Sequence, residues 1–269
     1  MMSKIRLLSN KRVAHYLEQG AGEPLVLIHG VGMQAEAWYP QMAFFAATHQ
    51  VISVDMPGHG QSTPLMSGAT LADYVDWMID FLENMALSPV NLCGHSMGAL
   101  IAAGVTIERP DLVRRLAVVN GVHRRDQAAR QAVIARAQSL TEGYVDVQTP
   151  LTRWFETGPA HAPIVSKVKG WLEQVDLQGY ATAYSAFAYG DVLYADRWSE
   201  VQCPVLALTG ADDPNSTAQM SRTMASLSAK GTAVVLECER HMVNLTAPDQ
   251  VNQALTRWLA VQSCNYAVA

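Results

Sequence analysis

Long hydrophobic runs are missing from this chain. No stretch approaches the roughly 20 apolar residues that cross a bilayer. The opening "MMSKIRLLSNKRVAHYLEQG" carries basic residues without the apolar run of a signal peptide, so no membrane partner is expected. Cysteine is scarce: Cys93, Cys203, Cys238 and Cys264 stand alone, with no C-x-x-C pair. That is neither a zinc pattern nor a disulfide framework, and a reduced, cytoplasmic setting is expected. Charge is also low. Asp, Glu, Lys and Arg make up only 16% of the 269 residues, too few for a disordered chain. The net charge of −5 gives a surface that does not attract nucleic-acid phosphates or anionic lipid. No G-x-G-x-x-G, no Walker loop and no metal-spaced histidines occur, so neither cofactor nor metal is expected.

Apolar residues, by contrast, make up 49% of the chain, enough for a sizeable core. Short Val/Leu/Ile runs recur at residues 24–30, 49–58, 88–94, 114–121, 203–210 and 232–237. Most are near-continuous rather than alternating, as in strands covered on both faces. Helical periodicity fills the gaps. Leu71, Tyr74, Val75, Met78, Phe81, Leu82 and Met85 mark one helix, residues 96–109 a second stopped by Pro110, and Pro248 opens a third. The alternation predicts an α/β fold with a mostly parallel, doubly covered sheet, and "RVAHYLEQG" reads as an antiparallel edge strand. Residues 122–200 break the pattern. They read as several aromatic-rich helices, a cap inserted into a core formed by residues 1–121 and 201–269.

The chemistry centres on "GHSMG", residues 94–98. A buried strand runs into it and a helix runs out, so Ser96 sits on a sharp strand-to-helix turn. Side chains at 94 and 98 would clash there, which explains the glycines. A serine nucleophile needs a base within hydrogen-bond reach and an acid to hold that base's tautomer. Asp212 and Asp213 in "LTGADDPNST" follow one strand, and His241 in "LECERHM" follows the last. All three positions fall at strand carboxyl ends, where open α/β sheets bind ligands. The backbone N–H of Met97, next after the serine, and that of Val31 in "LIHGVGMQAEAW" are candidate oxyanion donors.

Together, "HGVG", "DMPGHGQS", "GHSMG", "TGADD" and the late histidine make the sequence resemble the α/β-hydrolase superfamily over nearly its whole length. That resemblance implies the α/β-hydrolase fold with a helical cap, a Ser96–His241–Asp213 catalytic triad and an acyl-serine intermediate. The family's glycine-x-x-acid spacing in "GADD" favours Asp213 over Asp212. Arg240 before the histidine and the stretch "DLQGYATAYSAFAYGD" are similar to the 3-oxoadipate enol-lactonase group and related small esterases. The implied activity is hydrolysis of a small carboxylic ester or lactone. Carbon–carbon bond hydrolysis, perhydrolysis and a hydrolase-like small-molecule receptor remain alternatives. Members cleaving carbon–carbon bonds resemble one another in carrying an aromatic beside the histidine, where this chain has Met242.

Other residues have plainer readings. His95 should point away from Ser96 and serve packing, His29 and His59 should brace their loops, and His123 reads as a surface residue. Cys93 precedes the apex and reads as a buried thiol. Trp38, Trp154, Tyr184 and Phe187 are candidates for the walls of the substrate pocket.

Overall fold

A computed structural model of the chain describes residues 1–143, 146–156 and 158–263; Cys264 and small parts of the 122–200 segment lie outside them. Eight strands form one sheet: β1 (Met2–Leu7), β2 (Val13–Gln19), β3 (Glu23–Ile28), β4 (His49–Val54), β5 (Val90–His95), β6 (Val113–Val119), β7 (Pro204–Gly210) and β8 (Lys230–Leu236). Their order is β1-β2-β4-β3-β5-β6-β7-β8. The pairs β1/β2 and β2/β4 are antiparallel and the rest are parallel. One expectation is corrected. β2 is not the edge strand, because β1 lies outside it. β1 is exposed along most of its length and has no apolar run, so periodicity gave no sign of it.

Continuous apolar strands still obey the two-residue period of a sheet. Val26 and Ile28 of β3 face one layer, with Tyr74, Met78 and Phe81 of α2 (Leu71–Asn84) and Ile101 and Val105 of α3 (Met97–Glu108). Leu25 and Leu27 face the other, with Met42 and Phe45 of a helix at Tyr39–Phe45 and Leu255 and Trp258 of a helix at Pro248–Leu259. α2 opens with a capping box, in which the Asp73 carboxylate accepts from Thr70 N–H at 2.7 Å. α3 is apolar on every side because it is wrapped on every side, so it shows no amphipathic pattern.

Between β6 and β7 the described residues form helices and no strand: Gln127–Thr141, Gln148–Trp154, Ala162–Gln174 and Leu177–Gly190. A third apolar cluster seats this segment on the carboxyl edge of the sheet. It joins Leu151, Phe155, Val168 and Leu172 to Met33 after β3 and to Met242 and Leu245 after β8.

Two glycines give a contrast that tests the packing. A Cβ on Gly98 would lie 2.3 Å from the Ile28 carbonyl oxygen and 2.6 Å from that of His29, both backbone atoms that cannot move aside. Gly170, inside a helix, has nothing within 4 Å of that position. In urea unfolding, Gly98→Ala should lose about 3 kcal/mol or more, the upper range for overpacking. Gly170→Ala should gain up to about 1 kcal/mol from helix propensity. Equal effects at the two positions would refute this account.

Candidate active site

β5 ends at His95 and α3 begins at Met97, so Ser96 alone carries the reversal. Its φ of 55° and ψ of −114° lie outside the regions an L-residue prefers. Two contacts hold it there: Ser96 N–H donates to the Val119 carbonyl at 2.9 Å, and the Ser96 carbonyl accepts from Ala99 N–H at 3.0 Å. The flanking glycines are sterically required. A Cβ on Gly94 would stand 2.0 Å from the Gly98 carbonyl oxygen.

His241 follows β8 and reaches back to the serine. Its Nε2 lies 3.1 Å from Ser96 Oγ, and its Nδ1 lies 2.7 Å from Asp213 Oδ2. An ionised carboxylate only accepts, so Nδ1 carries the proton and Nε2 offers a lone pair to the serine hydroxyl. Burial raises the Asp213 pKa, but the contacts with His241, the Asn215 N–H and the Asn120 side chain outweigh it. The carboxyl is held below its ordinary value. Those contacts are short: Asn215 N–H to Oδ1 at 2.8 Å and Asn120 Nδ2 to Oδ2 at 2.8 Å. Asp212 is exposed and takes no part.

The expected bracing histidines all make specific bonds. His95 Nε2 donates to the His241 carbonyl at 2.8 Å, fixing the base's backbone. Burial, then the neighbouring His241, pull its pKa down to about 3, so the ring is a neutral donor. His29 Nε2 accepts from Met56 N–H at 2.9 Å, and His59 Nε2 accepts from Gly32 N–H at 2.9 Å. With Gly32 N–H so engaged and Met33 N–H bonded to the Gly30 carbonyl, Val31 N–H is left without a partner among the described residues. Met97 N–H belongs to the first turn of α3, where amides lack intrahelical acceptors. His123 is not a surface residue. It is buried, with Nε2 3.3 Å from the Ala195 carbonyl oxygen. Cys93 is buried, and burial pushes its thiol pKa up.

Ser96 and His241 open into a small cavity of about 80 Å³. Val31, Trp154, Tyr184 and Phe187 line it. Trp154 stacks on the His241 ring at 5.8 Å between centroids. Trp38 is a correction. It does not line the cavity but lies fully buried in the layer beneath the sheet, edge-on to His95 at 6.4 Å. The 3-10 turn at Ala35–Trp38 aims the indole inward.

Several residues of the site had escaped sequence reasoning. Asn120, at the end of β6, positions Asp213, and only the dipeptide Asn-Gly after a strand hinted at it. Arg125, Arg136 and Arg153 also line the cavity. The one signal of Arg125 and Arg136 was compositional, four arginines against one acid between residues 122 and 140. Arg240 Nη1 donates to the Thr152 carbonyl at 3.2 Å and ties the histidine loop to the neighbouring helix. A second Ser–His–Asp chain, Ser3 to His15 at 2.7 Å and His15 to Asp55 at 2.6 Å, has a different character. Asp55 also accepts from Ala35 and Gln61 N–H, so it knots three loops together. Among the described residues no group of three His, Cys, Asp or Glu side chains could hold a metal ion, and no helix is long and apolar enough to cross a membrane.

Comparison with known proteins places the fold in a family. The model of the alpha/beta hydrolase family matches residues 25–254. The (E)-2-((N-methylformamido)methylene)succinate hydrolase of Acinetobacter baylyi is 60% identical, over 96% of this chain and 98% of its own. The same organism's 3-oxoadipate enol-lactonase 2 is 30% identical over 86% of each chain. A thermophilic esterase from Thermogutta terrifontis superposes with a TM-score of 0.87 at 20% identity, covering 96% of this chain and 98% of that one. A family match over most of the length, a strand–serine–helix elbow and an eight-stranded, mostly parallel sheet lead to one conclusion: this chain is a member of the alpha/beta hydrolase family.

Proposed function

We propose that this chain is a serine hydrolase that removes an acyl group from a small carboxylated molecule through an acyl-Ser96 intermediate. The observation that carries the reading is the run of contacts from Asp213 through His241 to Ser96 at the floor of a cavity. Ser96 Oγ attacks the carbonyl carbon while His241 Nε2 takes its proton. Asp213 keeps Nδ1 protonated and stabilises the imidazolium. The Val31 and Met97 N–H groups receive the developing oxyanion. As the tetrahedral adduct collapses, Nε2 returns the proton to the leaving atom. Water then gives a proton to His241, attacks the acyl-serine and releases the acid with free Ser96. The helices of residues 122–200 serve as the lid and supply the aromatic walls.

The scissile bond is suggested by the 60% identical relative. Its name describes an unsaturated dicarboxylate bearing an N-methylformamido group. Outside the two carboxylates the only carbonyl in that compound is the formyl group. Ser96 would therefore carry a formyl group, and the leaving atom would be the enamine nitrogen. That nitrogen is conjugated through the alkene to a carboxylate, which makes it a better leaving group than an ordinary amide nitrogen. The ester or lactone reading keeps the same chemistry with an oxygen leaving atom, and it draws support from the enol-lactonase relative.

Parallel assays separate the two. The enzyme is given (E)-2-((N-methylformamido)methylene)succinate, 3-oxoadipate enol-lactone and short-chain p-nitrophenyl esters. We expect formate release from the first, at a kcat/KM at least about 10²-fold above the others. Rapid quenching should trap a formyl group on the Ser96 peptide. Faster turnover of the lactone would move the reading to lactone hydrolysis. Carbon–carbon cleavage products, peracid formation or tight binding without turnover would each replace it.

A further inference from the structure

The cavity above Ser96 has a marked charge asymmetry. Arg125, Arg136 and Arg153 line it, and no Asp or Glu side chain does among the described residues. Arg136 sits with its guanidinium 5.4 Å from the centre of the Tyr184 ring and donates to the Asp146 carbonyl at 3.0 Å. Arg153 is exposed at the rim. Arg125 differs from both. Its side chain is only 3% exposed, its guanidinium lies 4.3 Å from the Phe187 ring centre, and Nη1 donates to the Phe187 carbonyl at 3.3 Å.

A buried guanidinium needs a counter-charge and partners for all its N–H groups. Arg125 has only part of this. Asp191 faces Nη1 at 3.3 Å, but that carboxylate also takes Arg130 at 3.2 Å. One negative charge therefore serves two positive ones, leaving a net positive charge at the cavity wall. The other terminal nitrogen, Nη2, is buried and makes no hydrogen bond among the described residues. Buried unpaired donors are rare, because each forfeits its hydration without compensation. The backbone is set for this placement, since Arg125 N–H donates to Asp191 Oδ2 at 2.8 Å. The sequence places Arg125 just before a helix N-cap, where a basic residue is normally solvated.

We infer that Arg125 is the specificity-determining residue of the site, its Nη2 receiving a carboxylate of the substrate while Arg136 and Arg153 attract a second. The inference rests on Ser96 being the nucleophile. Substrates are then small dicarboxylates whose acyl group reaches Ser96 while one carboxylate docks on Arg125. Neutral esters of the same size lose this contact. A purely structural role would instead make Arg125 a strut between Asp191 and the adjoining helix, and Arg130 shares that strut.

The test uses the intact enzyme with two variants, Arg125→Gln and Arg130→Gln, and two substrates, the formamido dicarboxylate above and p-nitrophenyl acetate. Arg125→Gln should lower the ratio of kcat/KM for the dicarboxylate over the acetate ester by at least about 30-fold, chiefly through KM. Arg130→Gln should leave that ratio within about threefold. A second readout needs no turnover. In Ser96→Ala protein, succinate should raise Tm, and adding Arg125→Gln should abolish the shift. If both substrates lose activity equally in Arg125→Gln, or if Arg130→Gln reproduces the change in ratio, the strut account wins. Succinate stabilising Ser96→Ala whether or not Arg125 is present would also overturn the inference. If instead Ser96→Ala turns over normally yet succinate binding still depends on Arg125, the nucleophile assignment fails and the carboxylate site stands.

Discussion

Ser96→Ala should lower kcat by about 10³-fold or more with little change in KM, because the members of such a triad act as a unit. Oγ is the only atom removed. His241 Nε2, 3.1 Å away, loses the group it would deprotonate, and water in its place is neither positioned by the elbow nor held against the substrate. Residual rate should come from the Val31 and Met97 N–H groups, which remain. The substitution keeps the strained backbone, since alanine is no more at ease at a φ of 55° than serine. Ser96→Gly should be equally inactive but more stable than Ser96→Ala by about 1 kcal/mol, because glycine adopts that φ freely. Steady-state assay with chemical denaturation checks both halves. A Ser96→Ala enzyme with wild-type turnover, free of contaminating hydrolase, would remove the basis of the mechanism.

Asp213→Asn should reduce kcat by about 10⁴-fold, and Asp212→Asn by less than about threefold. The neighbours differ in environment, not chemistry. Asp213 is buried against His241, Asn215 and Asn120, whereas Asp212 is exposed. An asparagine at 213 that turns its oxygen toward Nδ1 and Asn120 sets its NH₂ against the Asn215 N–H, a donor facing a donor. In the other orientation its NH₂ faces Nδ1 and forces the proton to Nε2, where the base cannot work. Stability carries a second signature. The folded Asp213 pKa lies below the ordinary 3.8. Its contribution is therefore fully present above that value and is lost as pH falls through the lower, folded one. Asp213→Asn should flatten this acid limb of the stability–pH curve, and Asp212→Asn should leave it unchanged. A larger kinetic loss at 212 would move the acid by one residue.

How far the sequence could be read depended on how local each cause was. The elbow was legible because its causes are neighbours: the steric demand of a turn on Gly94 and Gly98, an apolar strand before it and an apolar helix after it. The six parallel strands of the sheet were legible for the same reason. β1 was not, because an edge strand exposed along its length has no apolar period, and its pairing with β2 sets its place. Trp38 was misplaced because nothing local tells an indole aimed over the sheet edge from one aimed beneath it. Arg125 escaped because its chemistry is made by Phe187 and Asp191, the latter 66 residues further on.

By itself, then, the order of residues determined the fold class and the turn that lifts Ser96. Those follow from backbone sterics and from the rule that parallel strands end on one edge. Tertiary structure alone decided that Trp38 turns beneath the sheet, that Asn120 meets Asp213, and that an arginine is buried at the cavity with Nη2 unpaired among the described residues. Such properties belong to the space between distant segments. Burial and hydrogen bonding there depend on what the rest of the chain brings, and no local pattern records it.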